Sequence, residues 1–357
     1  MKLDLYFGRH TKEIFGMNRC KLELLQGLPK DINKKIISYK PKNRILNFLD
    51  FLTYAPLSLI KKRRNNSISY ILSQADAHIL NFFRFKKSIV LCYDIIPLVL
   101  PYGTKFQKLK AKFAYRGMCK ADHIIAISQF TKDEIVKHLN YPKERITVAH
   151  IGVDHNLYKP IKDLKEIKKK YNLSDKNKYL IYVGNEEPRM NLLTLLKALK
   201  LAQKEIPNLK LIKVGKSNYP EMREKLNRYI KKLNLEKDII FTNYVPEQDM
   251  PYLYNIADIS IYLCSYAGFG LPPLESMTCG TPTITSNRSS LPEVIGKGGI
   301  TLDEKDYKEL SKEIIKIIKD KKYSEELSKK GIKQSKKFTW ENFVNKNLEI
   351  ISLLSNK

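Results

Sequence analysis

The chain has 357 residues, 43% of them hydrophobic, which is long enough for about two domains with a buried core each. It carries 65 lysines and arginines against 37 acidic residues, a formal net charge of +28, and such a field attracts polyanions, anionic lipid surfaces and phosphate-bearing substrates. Its five cysteines are scattered without a CxxC pair, which argues against a zinc site or a disulfide framework and favours a reducing compartment.

The positive charge has two interpretations that composition alone does not separate. One is attraction to a membrane or an anionic substrate, and the other is a compositional preference for lysine. No apolar run follows Met1-Lys2 and no stretch approaches a membrane span, so we expect a cytoplasmic protein without a signal peptide. No nucleic-acid-binding module is recognisable, so we expect no specific nucleic-acid partner.

The first half of the chain alternates apolar strands with helices. The predicted strands lie at residues 3–7, 36–37, within 68–80, at 88–93 and at 121–127. Between them, residues 8–28 predict a loop followed by a helix, and the basic residues 104–119 predict another helix. The alternation is typical of a doubly wound α/β domain, which we place at residues 1–158.

One amphipathic stretch leaves two alternatives open. Residues 46–60 are largely apolar and are followed by the basic residues 61–64. Such a stretch lies on a membrane surface or packs as a core helix with a basic end, and packing is the favoured interpretation. The sequence therefore allows peripheral membrane contact without requiring it.

The second half repeats the alternation after a charged linker at residues 159–170. The predicted strands are residues 179–183, 209–214, 239–241, 259–264 and 281–285, with helices at 192–206 and 222–233. This predicts a second Rossmann-like domain at residues 159–338. From Trp340 onward the apolar residues recur at helical spacing, so residues 339–357 are predicted to form a terminal helix.

The most informative motif is SYAGFGLPPLESMTCG at residues 265–280. It follows a predicted buried strand, forms a glycine-rich turn and opens a helix that carries Glu275. Backbone N–H groups are unpaired at a helix N-terminus and the helix dipole favours negative charge, so this is an anion site. A carboxylate one turn into the helix can accept hydrogen bonds from sugar hydroxyls. Phosphate beside sugar is what a nucleotide-sugar presents.

With this motif and six others, the chain resembles the retaining glycosyltransferases of family 4. The others are YVGNEEPRMNLL at 182–193, FTNYVP at 241–246, LPEV at 291–294, FTWE at 338–341, AISQFT at 126–131 and HIGVD at 150–154. The resemblance implies the α/β GT-B fold of two facing Rossmann-like domains, with the last helix crossing back to the first. It also implies transfer from a nucleotide-sugar to a glycan, lipid-linked or protein-linked acceptor, with the acceptor on the first domain.

The resemblance implies a donor site in the second domain. Glu275 would bind the nucleotide ribose, although such a carboxylate can also serve only the positive helix end. The nucleobase would meet the backbone of Tyr244 and Val245, which otherwise pack at a strand end. The backbone of four loop residues would contact the diphosphate or donor sugar, unless they form a plain tight turn: Gly268, Phe269, Gly270 and Leu271.

Arg189 is the predicted main cation of the site and one of two predicted catalytic residues, because a guanidinium suits a diphosphate. Gly184 and Asn191, in the same motif, are predicted donor contacts. Met190 stands where the family has its main phosphate-binding lysine, so that cation would be replaced by Arg189 or supplied from elsewhere, for instance by Lys216 after the next strand. No metal and no cofactor are expected, since no Asp-x-Asp pair or cluster of histidines and acids lies near these residues.

In the first domain, the segment GMNR at residues 16–19 resembles the family's phosphate-approaching loop. Gly16 and Arg19 are therefore predicted donor contacts, with a plain surface charge as the other interpretation of Arg19. Asp94 is the second predicted catalytic residue, because the family often has His-Asp where this chain has Tyr93-Asp94. Its other interpretation is a cap for the loop after its strand.

Three positions depart from the family pattern. Met190 stands where a lysine usually binds phosphate, Ala267 where a second acid contacts the donor sugar, and Tyr93 where a histidine lies near it. The departures keep a second hypothesis open, a catalytically lapsed member that binds nucleotide or glycan without turnover.

Overall fold

The computed structural model describes residues 1–9, 16–39, 64–100, 104–217 and 220–356. The chain divides into two compact units, one formed by Met1–Gly152 with Trp340–Lys357 and the other by Val153–Thr339. The amphipathic stretch predicted at residues 46–60 lies outside the described residues. Within the described ranges, no helix combines the length and apolarity that a membrane crossing needs.

The first unit is built on a parallel sheet of six strands. The strands are β1 (Lys2–Arg9), β2 (Asn33–Tyr39), β3 (Ile68–Ile71), β4 (Ser88–Cys92), β5 (His123–Ala126) and β6 (Ile146–Val148). Their order is β2-β1-β3-β4-β5-β6. Most residues of the central strands are apolar and buried, and Ile89 to Cys92 have no exposed surface, as expected where helices cover both faces.

The helices of the first unit follow strands of its sheet. They are α1 (Met17–Gly27), α2 (Ile96–Val99), α3 (Lys105–Met118) and α4 (Gln129–Leu139). Thr104 and Gln107 form a capping box at the start of α3, and the Ser128 side chain accepts from the Thr131 N–H at the start of α4. These bonds satisfy donors that the first turn leaves unpaired.

The strand prediction within residues 68–80 is only partly right. The strand ends at Ile71, and Gln74–Asn81 form a 3-10 helix. The Ser73 side chain accepts a hydrogen bond from the Ala75 N–H, so the polar residues after the strand start a turn. Strand β6 was not predicted, because its three residues are too short to show a pattern.

The second unit has another parallel sheet of six strands. They are β7 (Lys178–Val183), β8 (Leu209–Val214), β9 (Ile239–Asn243), β10 (Ile259–Tyr262), β11 (Thr283–Ser286) and β12 (Ile300–Leu302). Their order is β12-β11-β10-β7-β8-β9, which is that of a doubly wound nucleotide-binding sheet. In such sheets ligands bind beyond the carboxyl ends of the strands where the order reverses, here between β7 and β10.

The helices of the second unit follow the strands in alternation. They are α5 (Lys165–Lys170), α6 (Leu192–Ala202), α7 (Pro220–Lys232), α8 (Met250–Ile256), α9 (Leu271–Thr278), α10 (Leu291–Ile295), α11 (Tyr307–Lys319) and α12 (Lys321–Ser335). The predicted linker is tied to this unit, because Asn255 of α8 accepts from the Ile161 N–H at 2.8 Å and donates to the Lys159 carbonyl at 2.9 Å.

The last helix, α13 (Trp340–Ser355), belongs to the first unit. Its Val344 packs on α1, where a Cβ added at Gly27 would lie 2.6 Å from a Val344 methyl. Its buried Asn347 accepts from the Tyr70 hydroxyl of β3. The helix therefore covers the first unit with an apolar face that would otherwise meet water.

Candidate functional site

Two loops meet at the switch point of the second sheet. One follows β7 and carries Arg189 and Asn191, and the other follows β10. The Arg189 carbonyl accepts from the Ser265 N–H at 2.8 Å. Asn191 Nδ2 lies 2.8 Å from the Leu263 carbonyl and 2.7 Å from Ser265 Oγ. These bonds join the two loops, so Asn191 positions the site through its side chain.

Arg189 is held at the centre of this frame. Its Nη1 donates to the Tyr266 carbonyl at 2.8 Å, and its Nε donates to Glu187 at 2.5 Å. Burial acts to lower the pKa of Arg189, but nearby Cys264 and the Glu187 carboxylate keep it above its usual value. Among the described residues Nη2 has no hydrogen-bond partner, so a permanently charged and largely buried group keeps unused N–H donors.

The glycine-rich loop of residues 265–270 is fixed by two serines that follow β11. Ser289 Oγ accepts from the Ala267 N–H at 2.9 Å, and Ser290 Oγ lies 2.8 and 2.6 Å from the carbonyls of Ala267 and Phe269. The Phe269 ring packs edge-on against Phe338 at 5.6 Å. Only the backbone of Phe269 is therefore placed to meet a ligand.

Gly270 ends the loop in a backbone conformation that other residues rarely adopt. Its φ is +123°, and an added Cβ would lie 2.8 Å from a Leu291 methyl. Helix α9 then begins at Leu271, followed by two prolines that have no N–H. Within the described part of the chain, the N–H groups of Gly270 and Leu271 have no partner. The N-terminus of α9, where the helix dipole is positive, thus has two adjacent N–H donors without a partner.

Glu275 lies one turn into α9, and its orientation is set by a residue that sequence reasoning missed. The Tyr254 hydroxyl of α8 donates to Glu275 Oε2 at 2.9 Å. Burial, and then the Glu275 charge, raise the pKa of Tyr254 well above its usual value. The hydroxyl therefore stays protonated as a donor. No sequence signal marks Tyr254, because it lies among the apolar residues of its helix and looks like another core residue.

Lys216 and Tyr244 pair at the ends of β8 and β9. Lys216 Nζ lies 5.8 Å from the centroid of the Tyr244 ring, and this ring is 51% exposed, whereas Val245 is buried. A Cβ added at Gly215 would lie 2.6 Å from the Gly184 carbonyl oxygen. The backbones that follow β7 and β8 therefore come this close only because residue 215 is a glycine. The structure thus presents an aromatic face and a cation at this edge.

A buried charge network behind the β7 loop was not predicted. Glu186 and Lys213 are 2% and 1% exposed, and Lys213 Nζ lies 3.0 Å from Glu186 Oε1. Arg223 Nε lies 2.9 Å from both carboxylate oxygens. Burial acts to raise the pKa of Glu186, but hydrogen bonds from Arg223 and Lys213 lower it overall. A lysine inside the apolar run of β8 was the available signal.

The residues predicted in the first unit are engaged within it. Asp94, after β4, accepts from the Ile96 N–H at 3.0 Å and so caps α2. Arg19 Nε pairs with Glu23 at 2.7 Å, and Gly16, with φ +46°, precedes α1. Their catalytic and phosphate-binding roles stay predictions.

Two charged residues of the first unit, the buried Lys21 and the half-buried Asp76, were also not predicted from the sequence. Lys21 is 7% exposed, and its Nζ donates to the Phe7 carbonyl at 3.1 Å. Burial raises the pKa of Asp76 to about 6, opposed by the charge of Lys21. Lys21 comes after strand β1 and Asp76 after strand β3, and the strand order of this sheet reverses between these two strands.

The three departures from the family pattern are buried. Met190 and Ala267 are each 4% exposed and belong to the apolar core of the second unit. Tyr93 is also 4% exposed, and its hydroxyl donates to the Met17 carbonyl at 3.2 Å. These side chains therefore serve packing. Across the described ranges, no three histidine, cysteine or acidic side chains are grouped to hold a metal ion.

Comparison with known proteins decides the family. A sequence model described as "Glycosyl transferases group 1" matches residues 163–334, and one described as "Glycosyltransferase Family 4" matches residues 51–157. The O-antigen chain mannosyltransferase B of Escherichia coli is 32% identical over 282 residues, 77% of this chain and 73% of that protein. The chain belongs to glycosyltransferase family 4.

A second similar sequence and a solved structure of similar fold point to the same kind of protein. The serotype-specific mannosyltransferase WbdA of Escherichia coli is 29% identical over 268 residues, 72% of this chain but 32% of that longer protein. Anabaena Alr3699/HepE, solved in complex with UDP and glucose, has a TM-score of 0.80 at 18% identity, covering 98% of this chain and 99% of that one. The predictions of an α/β GT-B fold and of a glycosyltransferase are confirmed.

Proposed function

We propose that this glycosyltransferase transfers a mannosyl residue from a nucleotide-sugar to a glycan acceptor with retention of configuration. The carrying observation is the arrangement of Arg189, the N-terminus of α9 and Glu275 around the switch point of the second sheet. The choice of mannose is supported by the names of two similar proteins of Escherichia coli, which are mannosyltransferases.

Each part of the donor has a matching group. The diphosphate lies against Arg189 Nη2 and the N–H groups of Gly270 and Leu271, which are a cation and two donors at a positive helix end. The ribose hydroxyls donate to Glu275, whose carboxylate Tyr254 orients. The nucleobase lies beside the Lys216–Tyr244 pair, where an aromatic face is exposed.

The chemistry follows from where charge develops. As the bond to the sugar breaks, negative charge grows on the leaving phosphate oxygen, and Arg189 with the end of α9 stabilises it without reorganisation. Position 267 carries alanine, so this loop supplies no carboxylate nucleophile there. We therefore propose a front-face transfer through an oxocarbenium-like state. The acceptor hydroxyl oxygen bonds to the anomeric carbon on the face that the diphosphate leaves, and the hydroxyl proton passes to the leaving phosphate oxygen. The protein provides the cations and no divalent metal is required.

Turnover of a donor panel tests this proposal. GDP- and UDP-linked sugars are incubated with mannose-containing glycan and lipid-linked acceptors in excess chelator, and the product anomer is read by NMR. We expect transfer from a mannosyl donor with the donor's anomeric configuration kept. An inverted product would overturn the retaining route, and activity that needs added magnesium or manganese would overturn the metal-free one.

A double variant distinguishes two explanations for a natural chain without turnover: a lapsed enzyme, or a donor missing from the panel. Ala267→Glu/Met190→Lys restores the two side chains that the family pattern places beside the sugar and phosphate. If the natural chain is silent with every donor and acceptor while this variant turns over, the chain is a binding protein and the proposed activity is wrong.

A further inference from the structure

Three polar side chains gather near the carboxyl ends of the first sheet. Lys21 of α1 donates from Nζ to the carbonyl of Phe7, in the last part of β1, at 3.1 Å. Gln74 and Asp76 belong to the 3-10 helix that follows β3. The strand order reverses between β1 and β3, and ligands of doubly wound sheets bind beyond such a reversal. We call Lys21, Gln74 and Asp76 the first-sheet cluster.

Gln74 is fixed by one end of its amide. It is 7% exposed, and its Oε1 accepts from the Tyr93 N–H, just after β4, at 3.2 Å. The Tyr93 hydroxyl in turn donates to the Met17 carbonyl at the start of α1, so these bonds connect β3, β4 and α1 across the strand ends. Among the described residues Gln74 Nε2 has no partner. A buried amide therefore keeps two unused donors.

Lys21 and Asp76 are close enough for their charges to interact, yet in the described part of the chain they form no direct salt bridge. Lys21 is 7% exposed and Asp76 is half-buried. Burial lowers the pKa of Lys21 and raises the pKa of Asp76 to about 6, and each charge opposes the shift of the other. The Asp76 carboxylate accepts no hydrogen bond from a described residue. Such groups cost stability, and charges perturbed in this way are typical of functional sites.

We propose that the first-sheet cluster binds the terminal sugar of the acceptor, with one hydroxyl bridging Lys21 and Asp76 and another accepting from Gln74 Nε2. A sugar hydroxyl both donates and accepts, so it satisfies an ammonium and a carboxylate at once. The charges of Lys21 and Asp76 cancel, which favours a neutral ligand, whereas the Asp76 carboxylate repels a phosphate.

The assignment to the acceptor rests on the proposed function, because the groups proposed there for the donor lie in the second unit. The three side chains are thus specificity-determining residues for the acceptor. Binding of a free saccharide is measured without any donor, so the site is tested apart from turnover.

Saturation-transfer NMR of the full chain with methyl α-mannoside and mannose disaccharides, without nucleotide, provides the first test. Lys21→Met/Asp76→Asn removes both charges and nearly keeps the side-chain volumes. We expect the natural chain to bind saccharide and this variant to bind about tenfold more weakly or worse, since hydrogen bonds to charged groups are lost. Lys30→Met/Asp31→Asn makes the same change at exposed positions of the first unit and should bind as the natural chain does.

Kinetics provides the second test. Gln74→Glu keeps an oxygen for the Tyr93 N–H and removes only the unused donors. This variant and Lys21→Met/Asp76→Asn should raise the KM for the acceptor about tenfold, while the KM for the donor changes little. A purely structural role predicts instead a lower melting temperature and parallel changes in both constants, which would overturn the proposal.

The remaining outcomes separate this inference from the proposed function. Saccharide binding that is lost in the folded Lys21→Met/Asp76→Asn variant supports the site, even if no donor is turned over and the proposed function fails. The site is overturned if the natural chain binds no saccharide, or if that variant binds as the natural chain does. Binding of inorganic phosphate in place of saccharide, lost in the same variant, overturns the choice of a neutral ligand.

Discussion

At the scale of single residues, the fold leaves few polar groups available at the candidate donor site. Asn191 and the two serines after β11 are used to hold loops together. Arg189 keeps Nη2, and Gly270 and Leu271 keep their N–H groups. The proposed donor site would therefore work through a small set of groups whose positions are fixed before any ligand arrives, which is what electrostatic stabilisation of a leaving phosphate needs.

Gly270→Ala tests the geometry of this small set. The positive φ of Gly270 and the close Leu291 methyl both oppose a side chain, so we expect a loss of about 1–3 kcal/mol in unfolding free energy and weaker nucleotide binding. Urea unfolding and calorimetry measure the two effects. Leu291→Ala removes the close methyl but leaves a cavity at a buried position, so it serves as the reference. In that background Gly270→Ala should keep only the cost of φ, and no further loss there would show that φ is not the constraint.

Asp76 makes stability depend on pH. Because burial raises its pKa to about 6, the folded state disfavours the charged form, and the cost is absent below the ordinary pKa and complete above about 6. Asp76→Asn should therefore stabilise the protein at neutral pH by about 1–2 kcal/mol, discounted for partial exposure, with no gain below about pH 4. Thermal melts across pH measure this, with the exposed Asp31→Asn as control. A gain that is equal at all pH values contradicts the assignment.

At the scale of elements, the loop after β7 depends on the buried charges behind it. Removing one partner of a buried ion pair leaves an uncompensated charge, so Glu186→Ala should cost about 3–5 kcal/mol. Urea unfolding measures it. Asp303→Ala breaks an exposed pair with Arg288 and should cost less than about 1 kcal/mol. Adding Lys213→Met to Glu186→Ala should restore part of the loss, and a double variant weaker than either single one would contradict the network.

The elements show what the sequence can and cannot predict. The apolar runs of β4, β7 and β10 and the glycine turn before α9 were predictable, because burial on both faces and a positive φ restrict the residue types directly. Two sets of bonds were not predictable. They are the hydrogen bond from the Tyr254 hydroxyl to Glu275 and the bonds of Arg223 and Lys213 to Glu186. They join residues far apart in the chain, and their partners depend on tertiary packing that no local pattern encodes.

At the scale of the whole molecule, the lysines and arginines that give the net charge of +28 are accompanied by exposed apolar side chains in some helices and not in others. Helix α12 is lysine-rich without an exposed large apolar residue, whereas α3 combines both features. Net charge alone therefore does not distinguish one surface of the protein from another, whereas its combination with exposed apolar side chains does.

The central claim is that the second unit binds a nucleotide diphosphate with Glu275 on its ribose. Calorimetric titration with GDP and UDP tests it most directly, using the natural chain, Glu275→Gln and the exposed control Glu326→Gln. We expect Glu275→Gln to weaken binding by about 1.5–3 kcal/mol, roughly tenfold to a hundredfold, while the control binds as the natural chain does. Equal affinity in a folded Glu275→Gln variant would contradict the account.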